Sequence, residues 1–164
     1  VETVVVVGNP KRASRTRAAA EGVVKSLTGS GPTSIIELAD LGPQLLTWGN
    51  PEVARAKETV KGADLLVVAS PTYKATYSGL TKLFLDQFGA GELAGLVTIA
   101  LMLGGSMRHA LAPELTLRPV LVEIGCSCPM AALYLLETDS SAEAIPAAWL
   151  AQAERAISRL VGER

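Results

Sequence analysis

The chain has almost no excess of charge. Fifteen Lys and Arg stand against sixteen Asp and Glu, a formal net charge of −1. That excludes bulk electrostatic binding of nucleic acid or of an acidic membrane surface, and it makes any basic site a local one. No apolar run approaches the ~20 residues that cross a bilayer; the longest, Leu96 to Leu103, is interrupted by Thr98. No charged segment followed by an apolar stretch and a cleavage site opens the sequence, so no targeting signal and a cytoplasmic location are expected. Only two cysteines occur, Cys126 and Cys128, and their Cys-x-Cys spacing lacks the further ligands of a zinc site. They are expected to be free, buried thiols in a reducing compartment, with no metal. The single histidine, His109, is expected to bond near a helix start rather than to catalyse. Repeats, low-complexity tracts and linkers are absent, so residues 1–164 are expected to form one domain. With 49% hydrophobic residues the chain can build a full core.

Short apolar runs alternate with helical patterns. Strands are expected at 3–8, 34–38, 63–70, 95–103 and 130–136, and helices at 14–27, 50–62, 78–88, 108–125 and 141–162. Ser14 and Asn50 stand where N-caps are needed, and Pro51 and Gly62 bracket the second helix. Pro113 and Pro119 should bend or end the fourth helix, and Pro146 is an alternative start for the last. Trp48 and Trp149 are expected to pack, with Trp48 alternatively at a cleft rim. Five apolar strands alternating with helices imply an α/β fold with a parallel sheet covered on both faces. Its simplest order is the flavodoxin-like 2-1-3-4-5, a three-layer sandwich. Ligands bind such sheets beyond the carboxyl ends of the strands. The loops there are "GNPKRASRT", "SPTYKATYSG" and "GGSMRHA".

The first loop places Lys11, Arg12 and Arg15 beside the hydroxyls of Ser14 and Thr16, with no acid between Glu2 and Glu21. It leads into a helix start, where unpaired N–H groups and the positive end of the dipole favour an anion. Gly8 lets the backbone turn closely. This pattern suits a phosphate group; the alternative is a solvated basic loop in which Ser14 only caps the helix. No Gly-x-Gly-x-x-Gly or Gly-x4-Gly-Lys-Ser/Thr pattern follows the strand. A receiver domain would need acids where Asn9 and Ser70 stand.

The three loops together resemble the NADPH-dependent FMN reductase family. Its "GSPR..SRT", "SPTYK.SYSGLLK.FLD" and "GGS..H" patterns are matched, in order, by "GNPKRASRT", "SPTYKATYSGLTKLFLD" and "GGSMRHA". "LRPVL" (117–121) and "EIG" (123–125) match as well. The nearest likeness is to reductases that supply reduced FMN to two-component flavin monooxygenases. The resemblance implies that the FMN phosphate sits on Asn9, Lys11, Ser14, Arg15 and Thr16. The isoalloxazine would lie against Pro71, Thr72, Tyr73 and Lys74, with Gly104, Gly105 and Ser106 approaching its other side. Asn9 and Lys11 replace the family's usual Ser and Arg, which removes a bidentate phosphate contact at Lys11.

The implied reaction passes hydride from nicotinamide C4 of NADPH or NADH to flavin N5. The cofactor carries that chemistry, so no side-chain nucleophile is expected, and Lys74 is the candidate to stabilise developing charge. Arg12, Arg108 and Lys74 are candidates for a nicotinamide 2′-phosphate. The family forms dimers and tetramers, which implies a homo-oligomer using the helix around Leu80, Leu83, Phe84 and Phe88; that helix can equally be a core element. Two alternatives stay open: an enzyme that keeps FMN and reduces quinones, azo dyes or metal ions, and a non-enzymatic FMN electron carrier. The near-neutral charge and the basic first loop oppose the carrier.

Overall fold

The computed structural model describes residues 1–139 and 144–161. Five parallel strands form one sheet in the order β2-β1-β3-β4-β5. They are β1 (Thr3–Val7), β2 (Ser34–Glu37), β3 (Leu65–Pro71), β4 (Val97–Gly104) and β5 (Leu133–Leu136). The three central strands are buried along their whole length, as continuous runs of Val, Leu and Ile demand. The helices are α1 (Arg15–Thr28), α2 (Leu38–Leu41), α3 (Pro51–Lys61), α4 (Gly79–Leu85), α5 (Arg118–Glu123) and α6 (Ala147–Val161).

Strand alternation splits the core in two. Val4, Val6, Leu66, Val68, Ala100 and Met102 face Leu38, Val53, Phe84, Leu117 and Leu121 on one side. Val5, Val7, Val67, Ile99 and Leu101 face Ala20, Val23 and Val24 of α1 and Trp149, Ala153 and Ile157 of α6 on the other. A layer of helices on each sheet face satisfies both apolar surfaces at once.

The register aligns Val7 with Ala69, Ala69 with Leu101, and Pro71 with Leu103. The carboxyl ends of β1, β3 and β4 therefore finish together. The ladder also continues past the strands. Gly8 N–H donates to Ala69 O (2.8 Å), Thr72 N–H to Leu103 O (2.7 Å) and Glu137 N–H to Gly104 O (3.0 Å). These bonds pin the starts of the binding-edge loops to the sheet.

The expected caps are present. Ser14 Oγ accepts Arg17 N–H, Asn50 caps α3, and Gly62 follows its end. The expected helix at 108–125 is instead three pieces: a 3-10 turn at Met107–His109, a wide π turn at Pro113–Leu117, and α5. Pro113 opens the π turn, and Pro119 lies in the first turn of α5, where a missing N–H costs little. The helix expected at 78–88 is shorter, with Ser78 as its N-cap. Phe84, Leu85 and Phe88 are buried, while Leu80 and Leu83 are only partly covered. Helix α2 and the 3-10 turn Gly42–Leu46 stand where the sequence reading placed the strand end Leu38 and then no element. Residues 141–143 and 162 of the expected last helix lie outside the described residues. Trp149 is buried and donates to Ala131 O, whereas Trp48 is 72% exposed and does not pack as expected.

Candidate functional site

Gly8 ends β1 because no side chain fits there. An added Cβ would stand 1.8 Å from Thr81 Oγ1. The carbonyl of Gly8 accepts the Ser78 hydroxyl, and Ser70 Oγ accepts Ser78 N–H (2.9 Å). The first loop, the end of β3 and the start of α4 are thus fastened together through small polar side chains that are all buried.

Asn9 then organises the loop from within. Its Oδ1 accepts Lys11 N–H (2.9 Å) and its Nδ2 donates to Thr16 Oγ1 (3.0 Å). Ala13 has φ 48°, a left-handed conformation that costs a non-glycine residue energy. Its N–H is held by the buried carboxylate of Glu37, 3.1 Å from Oε2. Arg17 donates to Glu37 (2.7 Å) and Glu21 (2.9 Å). Those bonds, the one to Glu37 first, raise the guanidinium's pKa above its ordinary value.

After this bracing, the N–H groups of Arg12, Ser14, Arg15 and Thr16 meet no protein acceptor among the described residues. Those of Ser14, Arg15 and Thr16 lie at the positive end of the 14-residue helix α1. The loop's cations are less free than the sequence suggests. Distant acids come to three of them: Asp40 pairs with Arg12, Glu37 with Arg17 and Glu137 with Arg15. Lys11 has no ion pair among the described residues.

A cleft of about 380 Å³ opens over this helix start. Asn9, Lys11, Ser14, Arg15, Thr16, Pro71 and Tyr73 line it, together with Ala13, Leu103 and Glu137. Its volume is within the usual range of small-molecule sites. The first seven are residues singled out from sequence. Ala13 and Glu137 were not. Ala13 carries no polar group, and an acid facing an anion site is not a pattern that a search for phosphate ligands would flag.

Thr72, Lys74, Gly105 and Ser106 belong to the neighbouring edge loops and Gly104 ends β4; none of the five lines the cleft. Tyr73 N–H donates to Thr76 O (2.8 Å), and Lys74 and Ala75 form the turn between them with φ 51° and 70°. Two consecutive left-handed non-glycine residues are a strained arrangement of the kind found at functional sites. Thr76 Oγ1 lies 2.9 Å from Thr116 Oγ1, tying this turn to the π turn. Thr72 Oγ1 is buried with no hydrogen-bond partner among the described residues, a polar atom left unsatisfied next to the cleft. Gly104 lacks a side chain for a reason internal to the sheet. An added Cβ would stand 2.0 Å from the Tyr134 hydroxyl, which donates to Ser106 O (2.7 Å). Gly105 has open space at that position. Ser106 Oγ accepts Arg108 N–H, and the backbone N–H of His109 reaches Ser106 O within the same 3-10 turn.

The donor set suits a phosphate: free main-chain N–H groups, a capping hydroxyl and flanking cations. The adjoining wall of Pro71, Tyr73 and Leu103 suits a planar, largely apolar ring.

Known proteins resemble this chain in sequence and in fold. The profile of the NADPH-dependent FMN reductase family matches residues 1–140. The FMN reductase (NADPH) of Escherichia coli (strain K12) is 32% identical over 74% of this chain and 65% of its own. The NADH-dependent FMN reductase SfnF of Pseudomonas fluorescens (strain Pf0-1) is 33% identical over 73% of this chain and 68% of its own. The chain thus spans about two thirds of the length of these relatives. Among solved structures, the apo form of the NADH:FMN oxidoreductase EMOB superposes with a TM-score of 0.80 at 31% identity, covering 98% of this chain and 88% of that one. An archaeal flavodoxin, at 16% identity and a TM-score of 0.56, shares the fold. A sheet of this order, a phosphate-type loop after its first strand and a family match over most of the sequence lead to one assignment: the chain belongs to the NADPH-dependent FMN reductase family.

Proposed function

We propose that the chain is an NAD(P)H:FMN oxidoreductase, acting as one FMN-binding unit, that hands reduced FMN to a flavin-dependent monooxygenase. The observation that carries this reading is the set of unpaired N–H groups at the start of α1, opening directly into a cleft walled by Pro71 and Tyr73. FMN, when bound, supplies the ring that accepts hydride from the nicotinamide. The chain's own residues bind and orient. Ser14, Arg15, Thr16 and Lys11 take the phosphate, and Asn9 holds Thr16 and the Lys11 backbone in place. Pro71, Tyr73 and the Thr72 hydroxyl meet the ring, with Lys74 at its edge as a charge stabiliser. Gly105 and Ser106 bound the opposite side, with Gly104 seating Tyr134 beneath them.

Relatives named for NADPH and for NADH both occur. Arg12 is already paired with Asp40, so Lys74 and Arg108, which have no ion pair among the described residues, are the cations open to a 2′-phosphate. The relatives' names carry FMN reduction; delivery of reduced FMN to a monooxygenase rests on the resemblance of the three loops to the reductases of two-component systems. A homodimer or homotetramer would cover the partly exposed Leu80 and Leu83 of α4 and the exposed Leu111 and Leu115 ahead of α5. Two free, buried thiols fit a reducing cytoplasm.

The test is NAD(P)H oxidation by purified protein at increasing free FMN. Turnover that rises with added FMN supports the reading. Rapid turnover on a quinone without added FMN would favour a resident flavin instead. FMN binding without NAD(P)H oxidation above background would make the protein an electron carrier.

A further inference from the structure

Glu137 sits on the wall of the cleft, directly after β5, and was not expected there. Its main chain is fixed at two points. Its N–H donates to Gly104 O (3.0 Å), and its carbonyl accepts Arg15 Nη1 (3.2 Å). Its carboxylate lies 3.5 Å from Arg15 Nη2. A negative group carried by the protein therefore occupies the cation at the start of α1.

The Arg15 side chain is 66% exposed and that of Glu137 35% exposed, so the pair is solvated and weak by itself. Its consequence lies in what it does to an incoming anion. A phosphate at the α1 terminus must share Arg15 with the carboxylate or displace it. In either case two like charges lie within a few ångströms, less than a Debye length at physiological salt. The carboxylate cannot retreat far, because its backbone is pinned to the end of β4. A flavin without a phosphate meets none of this.

We propose that Glu137 is a specificity-determining residue that competes with the flavin phosphate for Arg15, weakening FMN selectively so that it leaves readily as a product. The inference rests on the reading that the phosphate lies at the start of α1. It assigns to this chain's own carboxylate the balance between a resident and a dissociating flavin. Affinity changes of this kind appear mostly in the dissociation rate.

The experiment titrates the full chain with FMN and with riboflavin, following flavin fluorescence, for the parent, Glu137→Gln, Glu137→Asp and Arg15→Ala. Glu137→Gln removes the charge but keeps the carbonyl contact that anchors Arg15. FMN should bind roughly three- to tenfold more tightly to it, with a correspondingly slower release in stopped flow. Riboflavin should be unchanged, and added salt should shrink the difference. Glu137→Asp, which keeps the charge on a shorter arm, should fall between parent and Gln. FMN binding that is unchanged or weaker in Glu137→Gln overturns the proposal, as does equal tightening of riboflavin. Arg15→Ala separates the two levels. If it weakens FMN but not riboflavin while Glu137→Gln has no effect, the phosphate site stands and the competitor role falls. If Arg15→Ala and Glu137→Gln both leave the FMN-to-riboflavin ratio unchanged, the phosphate reading fails and this proposal with it.

Discussion

The carboxylate of Glu37, at the end of β2, accepts the N–H of Ala13, 3.1 Å away in the loop after β1. That bond consumes one main-chain donor of the loop and holds its left-handed residue, while the next residues, Ser14, Arg15 and Thr16, line the cleft with N–H groups that meet no protein acceptor among the described residues. Arg17 neutralises the buried acid from α1. Glu37→Ala should leave the Ala13 N–H and Arg17 without their partner and lower the unfolding free energy by about 1–3 kcal/mol, read by urea denaturation. FMN should bind more weakly as the loop relaxes. Glu37→Gln, which can still accept from Ala13, should lose less of both. An Ala variant as stable and as tight as the parent would show that the loop needs no brace.

Gly8 and Thr81 form a second brace, made by close approach. Gly8→Ala puts a methyl group into the Thr81 hydroxyl, which is itself buried. Overpacking of this kind costs about 1–3 kcal/mol. Thr81→Ala removes the obstacle at its own cost, since its hydroxyl also lies 3.0 Å from Ser78 Oγ. In a double-mutant cycle the pair should couple favourably by at least about 0.5 kcal/mol. Strict additivity would place the two residues further apart than the structure does.

These two braces mark the limit of what the sequence makes legible. The strands, the caps at Ser14 and Asn50 and the three binding-edge loops follow from local signals (apolar runs, cap residues and punctuating glycines), and the strand order from the handedness of the crossovers. The seven lining residues expected from sequence fall within two short stretches, 9–16 and 71–73. Glu37, Asp40 and Glu137 are not. They reach the first loop from β2, α2 and the turn after β5, and only the register of the sheet brings them there. Gly104 could be read as room for a ligand, because the Tyr134 ring that needs the space arrives from a neighbouring strand. Likewise the break at 108–125 was signalled by two prolines, but the π turn between them depends on packing against β4 and β5.

The two thiols lie within the core, and burial pushes both upward. Cys128 is raised to about 11, by burial first and then by its neighbour Cys126, while Cys126 is raised by burial. A thiolate is the reactive form, and little of it exists at neutral pH under these conditions. Native protein at pH 8 should therefore resist a maleimide or an aromatic disulfide reagent, and both thiols should react once it is unfolded. Rapid labelling of folded protein would mean that this region opens easily.

Glu92 couples stability to pH. Its carboxylate meets Lys61 (2.8 Å) and Lys57 (3.2 Å) and accepts Gly89 N–H (2.7 Å). The bond to Lys61, then that to Gly89, holds its pKa down from 4.5 to about 2. Between those values the unfolded chain binds a proton that the folded chain does not. Falling pH therefore favours unfolding in that window, and the stability Glu92 contributes above about pH 4.5 is lost toward pH 2. Glu92→Gln should be less stable than the parent at pH 7, and the difference should shrink as pH falls through that window. Parallel stability curves for the two proteins would show that the carboxylate is not held in this way.

The turn that carries Lys74 stores strain that can be measured. Lys74 and Ala75 both take left-handed backbone angles, φ 51° and 70°, between the paired residues Tyr73 and Thr76. A left-handed L-residue costs about 1–2 kcal/mol, whereas glycine adopts that conformation freely and instead loses about 0.4–1 kcal/mol through a more flexible unfolded chain. The first effect is the larger, so Ala75→Gly should stabilise the protein by up to about 1 kcal/mol, and Ala75→Val should destabilise it. Both substitutions leave the Lys74 side chain in place. If Lys74 acts at the flavin edge, the Gly variant should gain stability yet hold Lys74 less firmly, lowering kcat for NAD(P)H oxidation more than it changes FMN binding. Ala75→Gly that destabilises like a glycine placed in an ordinary strand would mean that the turn is not left-handed in solution.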